Sequence, residues 1–101
     1  MKPPNFAPLY AALYPELAEV ARSHGYALAV HGSLARDFDL IAVPWAESVS
    51  EPGAVVAELV RDFALTLTAD ATEKPHGRRC YTLSVGFGEC FLDLSFTPCA
   101  P

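Results

Sequence analysis

Long apolar runs are lacking in this sequence of 101 residues. No stretch approaches the roughly 18 to 20 consecutive apolar residues of a transmembrane helix, which argues against a membrane-spanning protein. The N-terminal Met-Lys-Pro-Pro-Asn is followed by no apolar segment with a small-residue cleavage site, as a secretory signal would require. We therefore expect a cytoplasmic protein with no membrane contact.

Basic residues are also scarce, since seven Lys and Arg face twelve Asp and Glu and leave a net charge of −5. General binding to duplex nucleic acid depends on cations that neutralise several phosphates. This charge balance argues against that class of partner.

The three cysteines, Cys80, Cys90 and Cys99, show no C-x-x-C spacing, which argues against a zinc site or a thioredoxin-like pair. None has a neighbouring histidine in the sequence to stabilise a thiolate, so we interpret them as reduced, mostly buried thiols without a role in nucleophilic catalysis.

What is present is a chain able to fold, with 51% hydrophobic and 19% charged residues. Its length fits one domain, residues 1–101. Apolar spacing predicts a first helix from about Pro8 to residue 24, kinked or restarted at Pro15 and stopped at Gly25. A second apolar stripe predicts a helix over residues 51–65.

Between and after these helices, apolar runs and alternation predict strands. Residues 26–31 are nearly all apolar, which favours a strand buried on both faces. Residues 37–43 form a second strand, ended by a proline. Residues 69–77 are predicted as a polar surface loop before a hairpin of residues 79–87 and 90–96, which turns at Gly88 and Glu89. The fold class is therefore α/β (α+β), with two main helices and a mixed sheet of about four or five strands.

Three aspartates could form a site in this arrangement. Asp37 and Asp39 lie two residues apart, so their side chains share one face of a strand. Asp93 is a single charge in a later apolar strand. If the two strands are neighbours, three carboxylates converge, and such hard oxygen ligands suit Mg²⁺ bound to a polyphosphate.

A turn of small residues precedes the first pair. Gly32 permits a close backbone approach to a ligand, and Ser33 offers a hydroxyl group with backbone N–H groups behind it. Together they indicate a phosphate contact. Gly32-Ser33-Leu34-Ala35-Arg36, then Asp37-x-Asp39 and a later Asp93, resembles the nucleotidyltransferase superfamily of polymerase-beta type, especially its small single-domain members.

The resemblance covers roughly residues 15–97 and implies a nucleotidyltransferase-like fold. It implies that Asp37, Asp39 and Asp93 hold Mg²⁺ and that Asp93 also accepts the proton of the attacking hydroxyl group. It further implies that Gly32 and Ser33 contact the phosphates, and Arg36 has a counterpart in the family. The expected reaction moves a nucleotidyl group from an NTP to a hydroxyl acceptor.

Three of the seven Lys and Arg of this acidic chain, together with His76, lie within residues 73–79. One interpretation is that Lys74, Arg78 or Arg79 neutralises phosphate charge opposite the carboxylates, as phosphoryl transfer requires. The other is a solvated loop. Trp45 could stack on a base or simply contribute to packing, and His31 could be a base or a structural histidine.

Two further alternatives remain open. In the family a short helix follows the Gly-Ser pair, whereas here Asp37 follows Arg36 at once, which leaves room for one helical turn at most. This favours a catalytically degenerate relative that acts through a partner protein or a homo-oligomer. Alternatively, the fold is a different one and the aspartates are coincidental. For Asp93 alone, a further interpretation is a charge on the solvent face of an edge strand, where it blocks edge pairing.

Overall fold

The computed structural model describes residues 5–68, 71–86 and 90–98. These residues form a mixed α+β structure of two α-helices and a six-stranded sheet. In chain order the elements are α1 (Ala7–Ser23), β1 (Tyr26–His31), β2 (Asp37–Pro44), α2 (Pro52–Phe63), β3 (Thr66–Leu67), β4 (Thr72–Lys74), a 3₁₀ turn (Pro75–Gly77), β5 (Arg78–Ser84) and β6 (Phe91–Phe96). The class is as predicted, but the sheet has more strands than the four or five expected, because the short strands β3 and β4 carry no apolar alternation.

The sheet has the strand order β1-β2-β6-β5-β3, and β4 also pairs with β5. β2 and β6 are parallel, whereas the other pairs are antiparallel. Between β2 and β6 the chain passes through α2 and three further strands, as a parallel pair needs a long connection. β2 and β6 therefore lie next to each other in the interior of the sheet.

Both helices contribute to a core on one face of this sheet. The ring of Tyr10 on α1 stacks on Phe38 of β2 with centroids 4.9 Å apart, and α2 contributes Val55, Val56 and Leu59. The other sheet residues buried in this core are Tyr26, Leu40, Ala42, Tyr81, Leu83, Leu92, Leu94 and Phe96. Alternation along each strand turns the intervening side chains to the opposite face.

α1 differs from its prediction at Pro15. One helix runs without interruption from Ala7 to Ser23 with Pro15 inside it, so the expected restart is wrong. Burial of Tyr10 and Leu17 on either side of the proline compensates for its missing N–H donor. The predicted stop is confirmed, since Gly25 has φ +92° and a Cβ there would lie 2.8 Å from the carbonyl oxygen of Ser48.

β1 was predicted to be buried on both faces, and this is wrong. It pairs with β2 alone at the edge of the sheet, and four of its six residues are exposed. The apolar run misleads because Ala27 and Ala29 are small enough to lie on an uncovered face without a large hydrophobic exposure.

The segment before β5 is more regular than predicted. Thr72–Lys74 forms strand β4 and Pro75–Gly77 a 3₁₀ turn, while residues 69 and 70 lie outside the described part of the chain. The ladder to β5 uses backbone groups, so it needs no apolar side chains and leaves no apolar pattern. The residues of β4 are all exposed, as expected for this segment.

The predicted hairpin is confirmed as the antiparallel pair β5–β6, with Ser84 opposite Phe91. Its predicted turn at Gly88 and Glu89 lies outside the described residues, as does Cys99. Cys90 is buried and Cys80 is half-buried, and both are free thiols. None of the helices in the described ranges is long and apolar enough to cross a membrane.

Candidate functional site

Polar side chains form a row across four strands on the face that the helices leave open. The register places His31 opposite Asp39, Asp39 beside Asp93, and Asp93 opposite Thr82. Adjacent strands are about 5 Å apart, so neighbours in this row can interact directly. The row brings together two of the three predicted carboxylates at the centre of the sheet.

Asp93 lies on an interior strand with neighbours on both sides, so the interpretation of Asp93 as an edge-strand charge is wrong. Burial raises the pKa of its carboxyl group, and the neighbouring carboxyl group of Asp39 raises it further through charge and a shared hydrogen bond. The Thr82 hydroxyl donates a hydrogen bond of 3.2 Å to Oδ1 of Asp93, and this bond and the charge of Lys74 lower the pKa in part. Asp39 and Asp93 therefore form a carboxylate pair that a cation would stabilise.

The carboxylate pair lies in a groove with a volume of about 250 Å³. Strands β1, β2, β4, β5 and β6 all contribute to it. The lining residues are His31, Asp39, Thr72, Lys74, Cys80, Thr82, Asp93 and Ser95.

Asp37 shares the open face with Asp39 but lies one row away. Its partner in the register is Phe91, and it is exposed at the start of β2. An i,i+2 separation along a strand is about 7 Å. The structure therefore joins Asp39 and Asp93 in one groove and leaves Asp37 beside it.

Gly32 lies directly against the carboxylate pair. Its φ is +82°, and a Cβ built there would lie 2.7 Å from Oδ2 of Asp39. A non-glycine residue would therefore be strained in its backbone and would displace this carboxylate. Gly32 is thus a part of the site that only glycine can fill without a change in geometry.

Ser33 and Arg36 lie in the loop of residues 32–36, which contains no helix. The Ser33 hydroxyl accepts a hydrogen bond from the Ala35 N–H at 3.3 Å, and Arg36 is exposed. α1 holds the loop in place, because the Phe6 N–H donates to the Ala35 carbonyl at 2.8 Å and the Tyr10 hydroxyl donates to the Arg36 carbonyl. The single helical turn that the sequence left room for does not form, and neither Ser33 nor Arg36 lines the groove.

Two predicted phosphate contacts lie on the opposite side of the pair. Lys74 of β4 lines the groove and lies close enough to Asp93 to influence its pKa. Arg78 pairs with Lys74 across β4 and β5, and its guanidinium group contacts the Ser95 hydroxyl at 3.5 Å. Both cations therefore face the groove side of the sheet.

Mg²⁺ in phosphoryl-transfer sites commonly keeps several waters and takes one or two carboxylates together with substrate phosphates. Asp39 and Asp93 meet that requirement, with hard oxygen donors on adjacent strands. Over the three described ranges, no group of three or more His, Cys, Asp or Glu side chains is placed to hold a metal ion. The donor set therefore fits a cation shared with a phosphate rather than one enclosed by protein ligands.

Thr82 is a site residue that the sequence did not reveal. Alternation along residues 79–87 places it on the face opposite Tyr81 and Leu83, but its contact with Asp93 depends on the β5–β6 register. Trp45, in contrast, is 79% exposed and lines a separate groove with Tyr14 and Arg22. It is not among the residues that line the carboxylate groove.

A second polar cluster was also missed. His24 Nδ1 lies 2.7 Å from the Ser50 hydroxyl oxygen, and His24 Nε2 lies 2.9 Å from Oε1 of Glu58. The Ser50 N–H also donates to the His24 carbonyl. These bonds connect the end of α1 to the segment just before α2 and to the middle of α2, and we interpret the cluster as a bridge between the helices.

Comparison with protein-family models, with curated proteins and with solved structures finds no match to this chain. The assignment of the site therefore rests on the residues and geometry above.

Proposed function

We propose that this protein is a divalent-cation-dependent nucleotidyltransferase that moves a nucleotidyl group from an NTP to a hydroxyl acceptor. The observation that carries the proposal is the pairing of Asp39 with Asp93 on two interior parallel strands, on the face that the helices leave open. Two carboxylates held side by side in a groove need a cation or a proton between them. The resemblance of the Gly32 to Asp39 segment to the superfamily supports the same chemistry.

Asp39 and Asp93 would hold the cation, with Asp37 at the margin of the site. A bound Mg²⁺ would supply neutralisation of charge on the phosphate oxygens during transfer. Lys74 and Arg78 would add positive charge from the β4–β5 side, where they receive the leaving polyphosphate.

Asp93 is the candidate proton acceptor for the attacking hydroxyl group. Without a bound cation, burial and the neighbouring Asp39 raise the pKa of Asp93, and its position in the groove would place it beside a hydroxyl group that attacks the phosphate. The bond from Thr82 fixes the orientation of this carboxylate. Gly32 allows the loop backbone to lie against Asp39 and so completes the wall of the site.

The test measures Mg²⁺-dependent binding of ATP by calorimetry and transfer of label from α-labelled ATP to a panel of hydroxyl compounds. Asp39→Asn and Asp93→Asn should each weaken Mg²⁺-dependent binding at least about tenfold, because each removes a charged ligand. Asp62→Asn is the control, since Asp62 is on α2 and pairs with Arg61. ATP binding that is absent in the wild type, or unaffected by both variants, would refute the proposal.

A second candidate function is a nucleotidyltransferase-like binding module without catalysis, acting through a partner protein or a homo-oligomer. The observation that favours it is the helix-free loop of residues 32–36, because a helix N-terminus is a strong source of N–H donors for an anion. A variant with alanine at Asp37, Asp39 and Asp93 should then keep its partner and its biological effect. Loss of both with an unchanged melting temperature would exclude this candidate.

A further inference from the structure

The open face of the sheet is divided into a charged side and an apolar side. β4 and β5 contribute Lys74, Arg78 and Thr82, and the carboxylate pair lies on β2 and β6. Apart from His31, which lies opposite Asp39 in the polar row, β1 and the second half of β2 contribute only hydrocarbon side chains to this face. We name these residues the apolar patch: Ala27, Ala29, Ile41 and Val43.

The register places the apolar patch next to the carboxylate pair. Ile41 is two residues from Asp39 on β2, about 7 Å along the strand, and is the partner of Ser95 on β6. Ala29 is the partner of Ile41 on β1. A ligand bound at Asp39 and Asp93 therefore has a continuous apolar surface beside it.

The apolar patch is only partly protected from water by the rest of the described chain. Ala27 and Ala29 are exposed and Ile41 is half-buried, and Val43 is 42% exposed. Exposed apolar surface beside a charged groove is typical of a ligand site.

The apolar patch lacks hydrogen-bonding side chains. The four residues are alanine, isoleucine and valine, and their strands are joined to each other by the β1–β2 ladder. The four side chains can bury a flat ring, but they form no hydrogen bonds with the donors and acceptors on the edge of that ring. Discrimination by factors of about ten thousand requires buried polar groups that the wrong substrate leaves unpaired.

We infer that the nucleobase of the substrate lies on the apolar patch while its phosphates extend from the carboxylate pair towards Lys74 and Arg78, so that the protein accepts nucleoside triphosphates with little selection among bases. This inference rests on the proposed function. It names the substrate class as a polyphosphate that carries an uncharged planar group.

Charge supports this orientation over the reverse one. With the phosphates over β1 and β2, the anion would contact hydrocarbon side chains and the uncharged ring would cover Lys74. With the phosphates over β5 and β4, the cations meet the anion and the ring covers hydrocarbon, so both contacts are favourable.

The experiment compares dissociation constants for ATP, GTP, CTP, UTP and inorganic tripolyphosphate, each with Mg²⁺. We expect the four nucleotides to agree within about fivefold and tripolyphosphate to bind about tenfold more weakly, since it buries no apolar ring. Ile41→Thr keeps a β-branched side chain in the strand and should weaken the nucleotides about fivefold without changing tripolyphosphate.

Two further variants make the test specific. Val43→Thr alters the apolar patch at a more exposed position, which serves if Ile41→Thr lowers the melting temperature, and it should weaken the nucleotides in the same direction. Val30→Thr is the matched control, because Val30 is 40% exposed and points to the other face of β1. It should leave all five constants unchanged.

The outcomes separate this inference from the proposed function. Equal binding of nucleotides and tripolyphosphate, or a preference for one base above about a hundredfold, would overturn the orientation and leave the cation and phosphate site standing. Nucleotide affinities unchanged in both Ile41→Thr and Val43→Thr would also overturn it. Binding of none of the five ligands would overturn the proposed function and this inference together.

Discussion

The two faces of the sheet are made by the same strands and have opposite chemistry. On β2, Phe38 and Leu40 are buried beneath the helices, whereas Asp37 and Asp39 point to the open face. On β6, Leu92 and Leu94 are buried while Asp93 points the other way. The covered face supplies most of the apolar burial that stabilises the fold, and the open face carries the candidate chemistry.

Because adjacent residues of one strand lie on opposite faces, we expect that the free energy of unfolding and ligand binding can be altered separately by substitutions at neighbouring positions. A substitution on the covered face should lower the free energy of unfolding in proportion to the volume removed. A substitution on the open face should change ligand binding with little effect on unfolding. Each prediction below tests that separation.

The largest expected effect is that of Phe38→Ala. Phe38 is fully buried and stacks on Tyr10, so the variant should lose about 3–5 kcal/mol of unfolding free energy. Urea denaturation measures this loss. Asp39→Ala, one residue further on, should change it by less than about 1 kcal/mol. Similar losses in the two variants would contradict the separation of the faces.

Gly32→Ala should lower the unfolding free energy by about 1–3 kcal/mol, because its positive φ is strained for alanine and a Cβ would meet the Asp39 carboxylate. It should also weaken Mg²⁺-dependent ATP binding. Gly53→Ala is the control, since Gly53 lies in α2 with no atom near the added Cβ. A Gly32→Ala variant with wild-type stability and binding would show that this glycine does not shape the site.

Tyr10→Phe should lower the free energy of unfolding by about 1 kcal/mol, since it removes the hydroxyl donor to the Arg36 carbonyl. Burial raises the pKa of Tyr10 from 10.0 to about 12. The folded state thus favours the protonated form of Tyr10. Its contribution to the free energy of unfolding is present in full below pH 10 and is lost as the pH rises towards 12. Spectrophotometric titration checks the shift, and a Tyr10 that ionises in its ordinary range would contradict it.

The smallest expected effect on stability is that of Asp93→Asn. The pKa of Asp93 is raised from 3.8, so the folded state binds its proton more tightly than the unfolded state. The contribution of this protonation to the free energy of unfolding is present in full below pH 3.8 and is lost as the pH rises through the higher folded-state pKa. The difference in unfolding free energy between Asp93→Asn and the wild type should therefore favour the variant more at neutral pH than in acid. Urea midpoints of both proteins at several pH values measure this difference. A difference that grows in the opposite direction would refute it.

Local patterns predicted most of the secondary structure and showed which side chains of the site share one face of a strand. Alternation in Asp37-Phe38-Asp39-Leu40 fixes which side chains share a face, and the glycine after α1 marks its end. Local patterns could not show that β2 and β6 are parallel neighbours in the register that joins Asp39 to Asp93. That pairing is a contact between distant parts of the chain. From the sequence, the convergence of the carboxylates could be expected only on the condition that the two strands are neighbours.

Other errors have the same physical origin. The edge position of β1 depends on which strands pair, and its small alanines resemble a buried run. The bridge of His24, Ser50 and Glu58 joins residues separated by up to 34 positions, so no local spacing reveals it. β4 leaves no apolar signal because backbone hydrogen bonds and the Glu73–Arg79 ion pair, rather than apolar side chains, hold it to β5.

A titration of Mg²⁺, and then Mn²⁺, followed by backbone NMR with and without ATP would show whether Asp39 and Asp93 form a cation site. We expect the amide signals of Gly32, Asp39, Thr82 and Asp93 to shift or broaden together. ATP should strengthen the effect and extend it to Lys74 and Ile41, whereas the signals of Phe38 and Leu94 should change much less. Signals on the open face that stay unchanged at millimolar metal with ATP present would contradict this expectation.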